Sequence, residues 1–413
     1  MTANTGPILA ERRIPPGDDW LAQEILDGLT PEQLIARTRA LKPLIAANAQ
    51  RAEELRRPVD EVWDALRASG LFYLFVPKRF GGLGFGVETF IDAALPLAEA
   101  CGSTGWTATF CIEHNWMLAQ FPEEGQQEIF SRFPYIVAPA ALVPPGAASE
   151  VEGGYRLNGR WKWGTGVMHA DWILLSAVVE GHDPPQMIMV AIPANEVSVL
   201  DVWHVAGMAG TGSNDILVED VFVPARRAVD IGLMCDGAAH GATLYDDPTY
   251  AMPMFPFLCV AASLPALGIA RGALDQFRET ITSKVARGTT IRQMEKPLKQ
   301  ARLSRATVMV ETAELVIREI ARQTLAIAGK GGDHVEQRIH MRAQASYAVK
   351  LCSEAVGLIM EGSGSSVQLL DHPLQRAMRD MAVIAGHAAF DPDLVHEADG
   401  RALLGLPHGL PIY

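Results

Sequence analysis

The sequence predicts an α–β–α protein of class α+β. It has a helical N-terminal domain (1–135), a small antiparallel β-barrel or sandwich (136–230) and a C-terminal four-helix bundle with a terminal loop (231–413). Two changes of hydrophobic period predict it: helical to about residue 130, alternating from about Tyr135 to Pro224, helical again after Tyr250. A chain of 413 residues, 49% hydrophobic and 20% charged, has ordinary globular composition and room for several such layers.

The first helices begin at Thr30-Pro31-Glu32-Gln33, which reads as an N-cap, a first-turn Pro and a capping-box Gln. Leu34, Leu41, Ile45, Asn48, Ala52 and Leu55 follow as one face. A second short helix carries Val59, Val62 and Leu66 and stops near Gly70. Apolar helical material runs from Phe90 to about Phe130. Tyr155 to Trp163 reads as a hairpin turning at Asn158-Gly159. Trp172–Val179, Met187–Ile192, Val197–Trp203 and Ile216–Val223 read as further strands. A loop rich in Gly, Asp and Pro leads to about Tyr250. Two long stripes complete the bundle: Ala306, Val310, Ala313, Ile317, Ile320, Thr324, Ile327, and Met341, Ala345, Ala348, Cys352, Ala355, Ile359. The uncharged stretch Pro253 to Ala270 is as long as a membrane span, but Pro253, Pro256 and Pro265 favour a buried core helix with a kinked start.

Charge and motifs exclude several functions. The net charge of −13 repels phosphate backbones and anionic lipid, which argues against nucleic-acid and membrane partners. The N-terminal twenty residues lack an apolar signal core, and the five cysteines form no CxxC pair, so the expected setting is the cytoplasm with reduced thiols and no zinc. There is no G-x-S-x-G elbow, no HExxH and no Walker loop. Asp333-His334 and His340 read as helix-surface groups. Gly81 to Gly86 lacks the spacing and preceding strand of a dinucleotide loop and reads as a turn between helical segments.

Several segments in collinear order carry a resemblance. They are Gly70-Leu71, Val76-Pro77-Lys78-Arg79-Phe80-Gly81-Gly82-Leu83-Gly84, Lys162-Trp163-Gly164-Thr165, the strand Asp215 to Pro224, and Arg376 through Arg379-Asp380. Over roughly residues 30–400 the chain resembles the acyl-CoA dehydrogenase superfamily. The resemblance implies that Trp106, Trp163, Gly164, Thr165 and Arg376 contact a flavin. On an ideal strand, Trp163 and Thr165 share a face. The segment Gly362 through Arg376 approaches either flavin phosphate or a neighbouring subunit, or is a plain helix linker.

Dehydrogenases of this family need a carboxylate to remove a proton beside a thioester carbonyl. By register that position is Ala388, and the alternative position falls near Leu258; no carboxylate lies between Asp247 and Asp275. Ala385-Gly386-His387-Ala388-Ala389 instead offers His387, and Cys111-Ile112-Glu113-His114-Asn115-Trp116 offers His114. Both segments resemble the oxygenase components of two-component flavin monooxygenases, the group that includes p-hydroxyphenylacetate hydroxylase and steroid-ring phenol hydroxylases. The resemblance implies a homotetramer using reduced flavin (FMNH2 or FADH2) and O2, a separate NAD(P)H-dependent flavin reductase, and a C4a-hydroperoxyflavin as oxidant. His387 and His114 are the expected catalytic residues, His387 as acceptor of a ring proton. Met254, Phe255 and Trp116 are the expected substrate pocket. In the hydroxyphenylacetate enzyme an Arg suits the substrate carboxylate; here the register gives Phe255, and its segment has no cation. That favours a small, mainly apolar aromatic or heteroaromatic substrate. Three alternatives stay open: an acyl-CoA dehydrogenase or flavin oxidase with an atypical base, N- or S-oxygenation, and a non-enzymatic member kept for binding.

Overall fold

Thr30 starts the helical part as its side chain predicts. Its hydroxyl accepts from the Gln33 N–H at 3.2 Å, and the Gln33 amide oxygen accepts from the Thr30 N–H at 3.0 Å. The structure, a computed structural model, describes residues 20–286, 288–330 and 334–410. The reading of the N-terminal stretch as lacking a signal core, and that of Asp333, fall outside them.

Seven helices come first: α1 (Gln23–Asp27), α2 (Pro31–Ala40), α3 (Lys42–Leu55), α4 (Asp60–Ala68), α5 (Val87–Ala100), α6 (Gly102–Leu118) and α7 (Glu123–Phe130). The expected single face over 34–55 is broken. The chain starts a new helix at Lys42-Pro43, so Thr38 and Ala49 enter the core while Leu55 is exposed. Gly81 to Gly86 is a turn leading into α5.

The strands are β1 (Ala140–Val151), β2 (Gly154–Gly164), β3 (Trp172–Val179), β4 (Gln186–Pro193), β5 (Ser198–Leu200), β6 (Asn214–Pro224) and β7 (Ala228–Asp230). They form one sheet in the order β5-β6-β2-β1-β3-β4-β7. The expected antiparallel barrel or sandwich is corrected in two respects. β1 and β3 run parallel, and the sheet is open, with β5 and β7 as its edges.

The Asn158-Gly159 hairpin is also corrected. The turn lies at Glu152-Gly153, where Val151 pairs with Gly154 and Gly153 takes a φ of +80° that favours glycine. Asn158 sits in mid-strand at a bulge against β6, and its side-chain oxygen accepts from the Asp220 N–H at 2.7 Å. A local turn signal loses here to the register of a long strand flanked on both sides.

After β7 the expected loop contains two short helices, α8 (Ile231–Cys235) and α9 (His240–Leu244). The long helices α10 (Met254–Ser283), α11 (Pro297–Ile327) and α12 (Val335–Ser363) follow, then α13 (Pro373–Ala385) and α14 (Pro392–Leu403). Every residue of the two expected stripes is buried. α10 has the length and apolarity of a membrane span, but 83% of its most apolar window is buried inside the protein. All five cysteines are free and buried.

Helices from both ends of the chain share one hydrophobic core, and the sheet has its own around Leu157, Trp161, Ile173, Val190 and Ile216. The helical core closes where α5, α6 and α10 meet at Ala98. A Cβ on Gly105 would lie 2.5 Å from the Ala98 Cα, and one on Gly268 would lie 2.4 Å from the Ala98 Cβ. Gly105→Ala should therefore destabilise the protein by about 1–3 kcal/mol, the usual range for overpacking. Urea unfolding at pH 7 measures this; an unchanged midpoint would show that the helices separate freely.

Candidate active site

Helix α6 carries one wall of the site. Of its residues Gly102 to Leu118, all are buried except Phe110. Trp106, Phe110 and His114 follow at spacings of four and so line up along the helix. Trp106 and Phe110 are 4.7 Å apart between ring centroids, and Phe110 and His114 are 5.5 Å apart.

A string of contacts runs from this wall to the sheet. The Trp106 indole N–H donates to the Thr165 hydroxyl at 3.2 Å. Thr165 and Ser213 share a hydrogen bond of 3.0 Å, and Ser213 and Thr211 one of 2.7 Å. Thr211 donates to the Met208 carbonyl, which also accepts from the Trp203 indole. Trp203 then packs on Trp163, 5.7 Å away. Trp163 is 53% exposed, so about half of this large apolar side chain remains open to solvent. A register shift interrupts the pairing between Trp161 and Gly164, and Thr165 lies just beyond the end of the strand.

The loop 203–213 is pinned by α13. The Met208 N–H donates to the Asp380 carboxylate, and Arg379 donates to the Ala206 carbonyl and to Glu53. Burial pushes the Asp380 carboxyl up to about 6.

His387 follows the end of α13. Its ring stands edge-on to Trp106 at 5.3 Å. The residue is exposed to solvent in the loop after α13. Desolvation by the protein around it, with the Arg342 charge adding to it, pushes the imidazole below its ordinary value. Nδ1 accepts from the Ala389 N–H at 3.2 Å, which leaves the proton of the neutral ring on Nε2. Nε2 has no hydrogen-bond partner among the described residues. As held, His387 presents its Nε2–H.

His114 has the opposite tautomer. Its Nδ1–H donates to the Ala138 carbonyl, and Nε2 lies 3.4 Å from a Glu113 carboxyl oxygen. His114 is 3% exposed and Glu113 is fully buried. Burial drives the His114 pKa down to about 4 and the Glu113 pKa well up. Both Glu113 oxygens are sealed from solvent.

The structure thus brings Trp106, Thr165 and His387 together, with His114 two turns farther along α6. It separates others. Met254 and Trp116 are fully buried, and Trp116 packs on Phe257 and donates to the Thr249 carbonyl. Neither lines an open surface. Gly164 faces Ile216 inside the sheet. Arg376 pairs with Glu53 at 3.2 Å, so its charge is already matched. Phe255 is partly exposed, but it is not without a cation: the Arg342 guanidinium lies 5.9 Å from its ring centroid. Arg342, Ser213 and Phe110 escaped sequence reasoning because no local motif marks them. Phe110 alone had a signal, its spacing of four from Trp106 and His114.

Comparison with known proteins gives the same fold and chemistry. Residues 33–132 match the family model of the acyl-CoA dehydrogenase N-terminal domain, and residues 260–392 that of the C-terminal domain. A pigment production hydroxylase of Rhodococcus sp. (strain ATCC 21145) is 34% identical over 93% of this chain and 99% of its own. The oxygenase component of an FADH2-dependent resorcinol hydroxylase of Rhizobium sp. (strain MTP-10005) is 31% identical over 91% and 94%. The crystal structure of the HsaA monooxygenase from M. tuberculosis superposes with a TM-score of 0.84, at 31% identity, covering 92% of this chain and 99% of that one.

The buried His114 predicts a pH effect. Its folded pKa is below the unfolded value near 6.5, so the stability it allows is complete above pH 6.5 and is lost as pH falls towards 4. His114→Asn, which keeps a donor to Ala138, should remove up to about 3 kcal/mol of that loss. Glu113 titrates in the opposite sense in both proteins. Denaturant unfolding of the pair at pH 7 and pH 4.5 checks this; parallel pH profiles would contradict it.

Proposed function

The chain belongs to the acyl-CoA dehydrogenase family, on its branch of flavin-dependent aromatic hydroxylases, and from that membership we propose that it is the oxygenase component of a two-component monooxygenase. It takes reduced flavin, as FMNH2 or FADH2, from a separate NAD(P)H-dependent reductase. An aromatic C–H becomes C–OH, the second oxygen atom leaves as water, and the flavin is oxidised. The observation that carries this reading over a dehydrogenase is the residue that faces Trp106 from the loop after α13. It is His387, and Ala388 stands where the family register puts a carboxylate.

The residues fit a planar flavin. Trp163 offers a half-exposed indole, and the Thr165–Ser213–Thr211 chain offers hydroxyls that donate or accept in either direction. When bound, reduced flavin supplies the two electrons that activate O2. This chain's own groups orient and protect. Trp106 and Phe110 wall the site with apolar rings and keep water away from the reacting centre. Trp106 fixes the Thr165 hydroxyl, which would bond to the edge of a bound flavin. His387 donates its Nε2–H to an oxygen of the substrate or the oxidant, where it stabilises developing negative charge. His114, locked at Nδ1 and facing Glu113, fixes the far end of the wall.

The exposed apolar residues Leu298, Val308 and Leu315 on α11 and Leu403 and Leu404 at the end of α14 support a homotetramer. Five buried cysteines with no disulfide among the described residues fit the cytoplasm.

Photoreduced FMN or FAD mixed with the protein, 18O2 and a panel of phenols and indoles tests the function. A hydroxylated product carrying one 18O is expected. Bleaching of oxidised flavin by an acyl-CoA, with no labelled product, would establish the dehydrogenase instead. His387→Ala should lower the product formed per reduced flavin oxidised by at least about tenfold. Because the imidazole is already neutral, the wild-type yield should be flat between pH 6 and 8. A yield that fell as His387 protonated near pH 6.5 would defeat the donor role.

A further inference from the structure

Met208 takes a φ of +56°, in the left-handed region that side chains other than glycine rarely enter. Such a conformation persists only where its surroundings hold it. Here the Met208 N–H donates to the buried Asp380 carboxylate at 2.5 Å. α13 presses on the same turn: a Cβ on Gly207 would lie 2.1 Å from the Arg379 carbonyl oxygen. The base of the loop is held separately. The Asn214 side chain accepts from the Val202 and Trp203 N–H groups at 3.1 and 3.0 Å. Asp380 therefore acts on the tip of the loop and leaves its base to Asn214.

The Met208 carbonyl is the point from which two sets of contacts spread. It accepts from the Trp203 indole at 3.0 Å and from the Thr211 hydroxyl at 2.9 Å. Trp203 packs on Trp163, and Thr211 leads through Ser213 to Thr165. The two kinds of group that would meet a flavin, an indole and a hydroxyl, thus depend on one backbone carbonyl. Returning Met208 to an ordinary φ would reorient the backbone that carries this carbonyl. Trp203 and Thr211 are both buried, so neither donor has water to turn to.

We propose that Asp380 is a positioning residue of the flavin site: by holding Met208 left-handed, it places the Trp203–Trp163 pair and the Thr211–Ser213–Thr165 chain together. The inference rests on the flavin-dependent reading and deepens it. A carboxylate on α13 sets two flavin contacts that it does not itself make.

Two readouts test this. One is the exciton couplet of the Trp163–Trp203 pair in far-ultraviolet circular dichroism, taken as the part lost in Trp163→Phe and read without flavin. The other is the Kd for FMN and for FAD by fluorescence titration. Asp380→Ala should lose most of the couplet and weaken flavin binding by at least about tenfold. Asp380→Asn, whose amide oxygen still accepts from the Met208 N–H, should keep both. Glycine enters the left-handed region freely, so in a Met208→Gly background Asp380→Ala should change each readout by less than about twofold. The cavity left by the methionine side chain is common to both members of that pair and cancels. The proposal fails if Asp380→Ala keeps the couplet and the affinity, or if Asp380→Asn loses as much as Asp380→Ala. It also fails if removing Asp380 is as damaging, or prevents folding, in the Met208→Gly background. Loss of the couplet with unchanged flavin affinity overturns it too, since the positioning would then not reach the flavin. Wild-type protein that bound neither FMN nor FAD would end the flavin reading, while the couplet would still decide whether Asp380 holds the two indoles.

Discussion

A helix enclosed on every side imposes the main constraint in this molecule. α6 has room for neighbours only because Gly105, and Gly268 opposite it, let backbones approach at Ala98. Its polar side chains can be satisfied only internally. Thr109 and Glu113 make no hydrogen bond through their side chains, whereas Asn115 donates to the Ile136 carbonyl and accepts from the Ile136 N–H. That fixes the segment leading into β1 against the helix. The one gap in the enclosure is Phe110, and the site is built around it.

The same constraint determines what His387 does. Three segments distant in sequence converge on Trp106: the end of β2 through Thr165, the residues before β6 through Ser213, and the loop after α13 through His387. Each arrives already fixed by backbone contacts. The imidazole cannot choose its tautomer, because the Ala389 N–H occupies Nδ1 and the ring is held neutral. As held, the ring presents Nε2–H, the hydrogen-bond donor that the proposed function uses.

Much of the fold was legible because burial writes itself into periodicity. The Ala306–Ile327 and Met341–Ile359 stripes are buried residue for residue, and Thr30 caps its helix through the two bonds its motif implies. Sequence reasoning erred where a local signal met a long-range one. Asn158-Gly159 has the composition of a turn, but β1 and β6 on either side hold it in a strand, and the turn falls at Glu152-Gly153. Trp163 and Thr165 have the spacing of one face, but the strand's register shifts at this point and the strand ends at Gly164. In the site, His387, Trp106 and Thr165 were visible as residues through the resemblance. Their tautomer, hydroxyl chain and cationic neighbour were not, because Ser213 and Arg342 gain their meaning from three-dimensional proximity alone.

The sealed cysteines have a consequence for durability. Any protein that handles dioxygen together with a two-electron donor is exposed to stray hydrogen peroxide. Peroxide attacks the thiolate, and burial holds Cys259 near 11 and Cys352 near 12, while Cys111 is raised further still. Placed in the dry core with no route to solvent, these sulfurs escape the oxidative damage that leakage at the site would inflict on surface thiols.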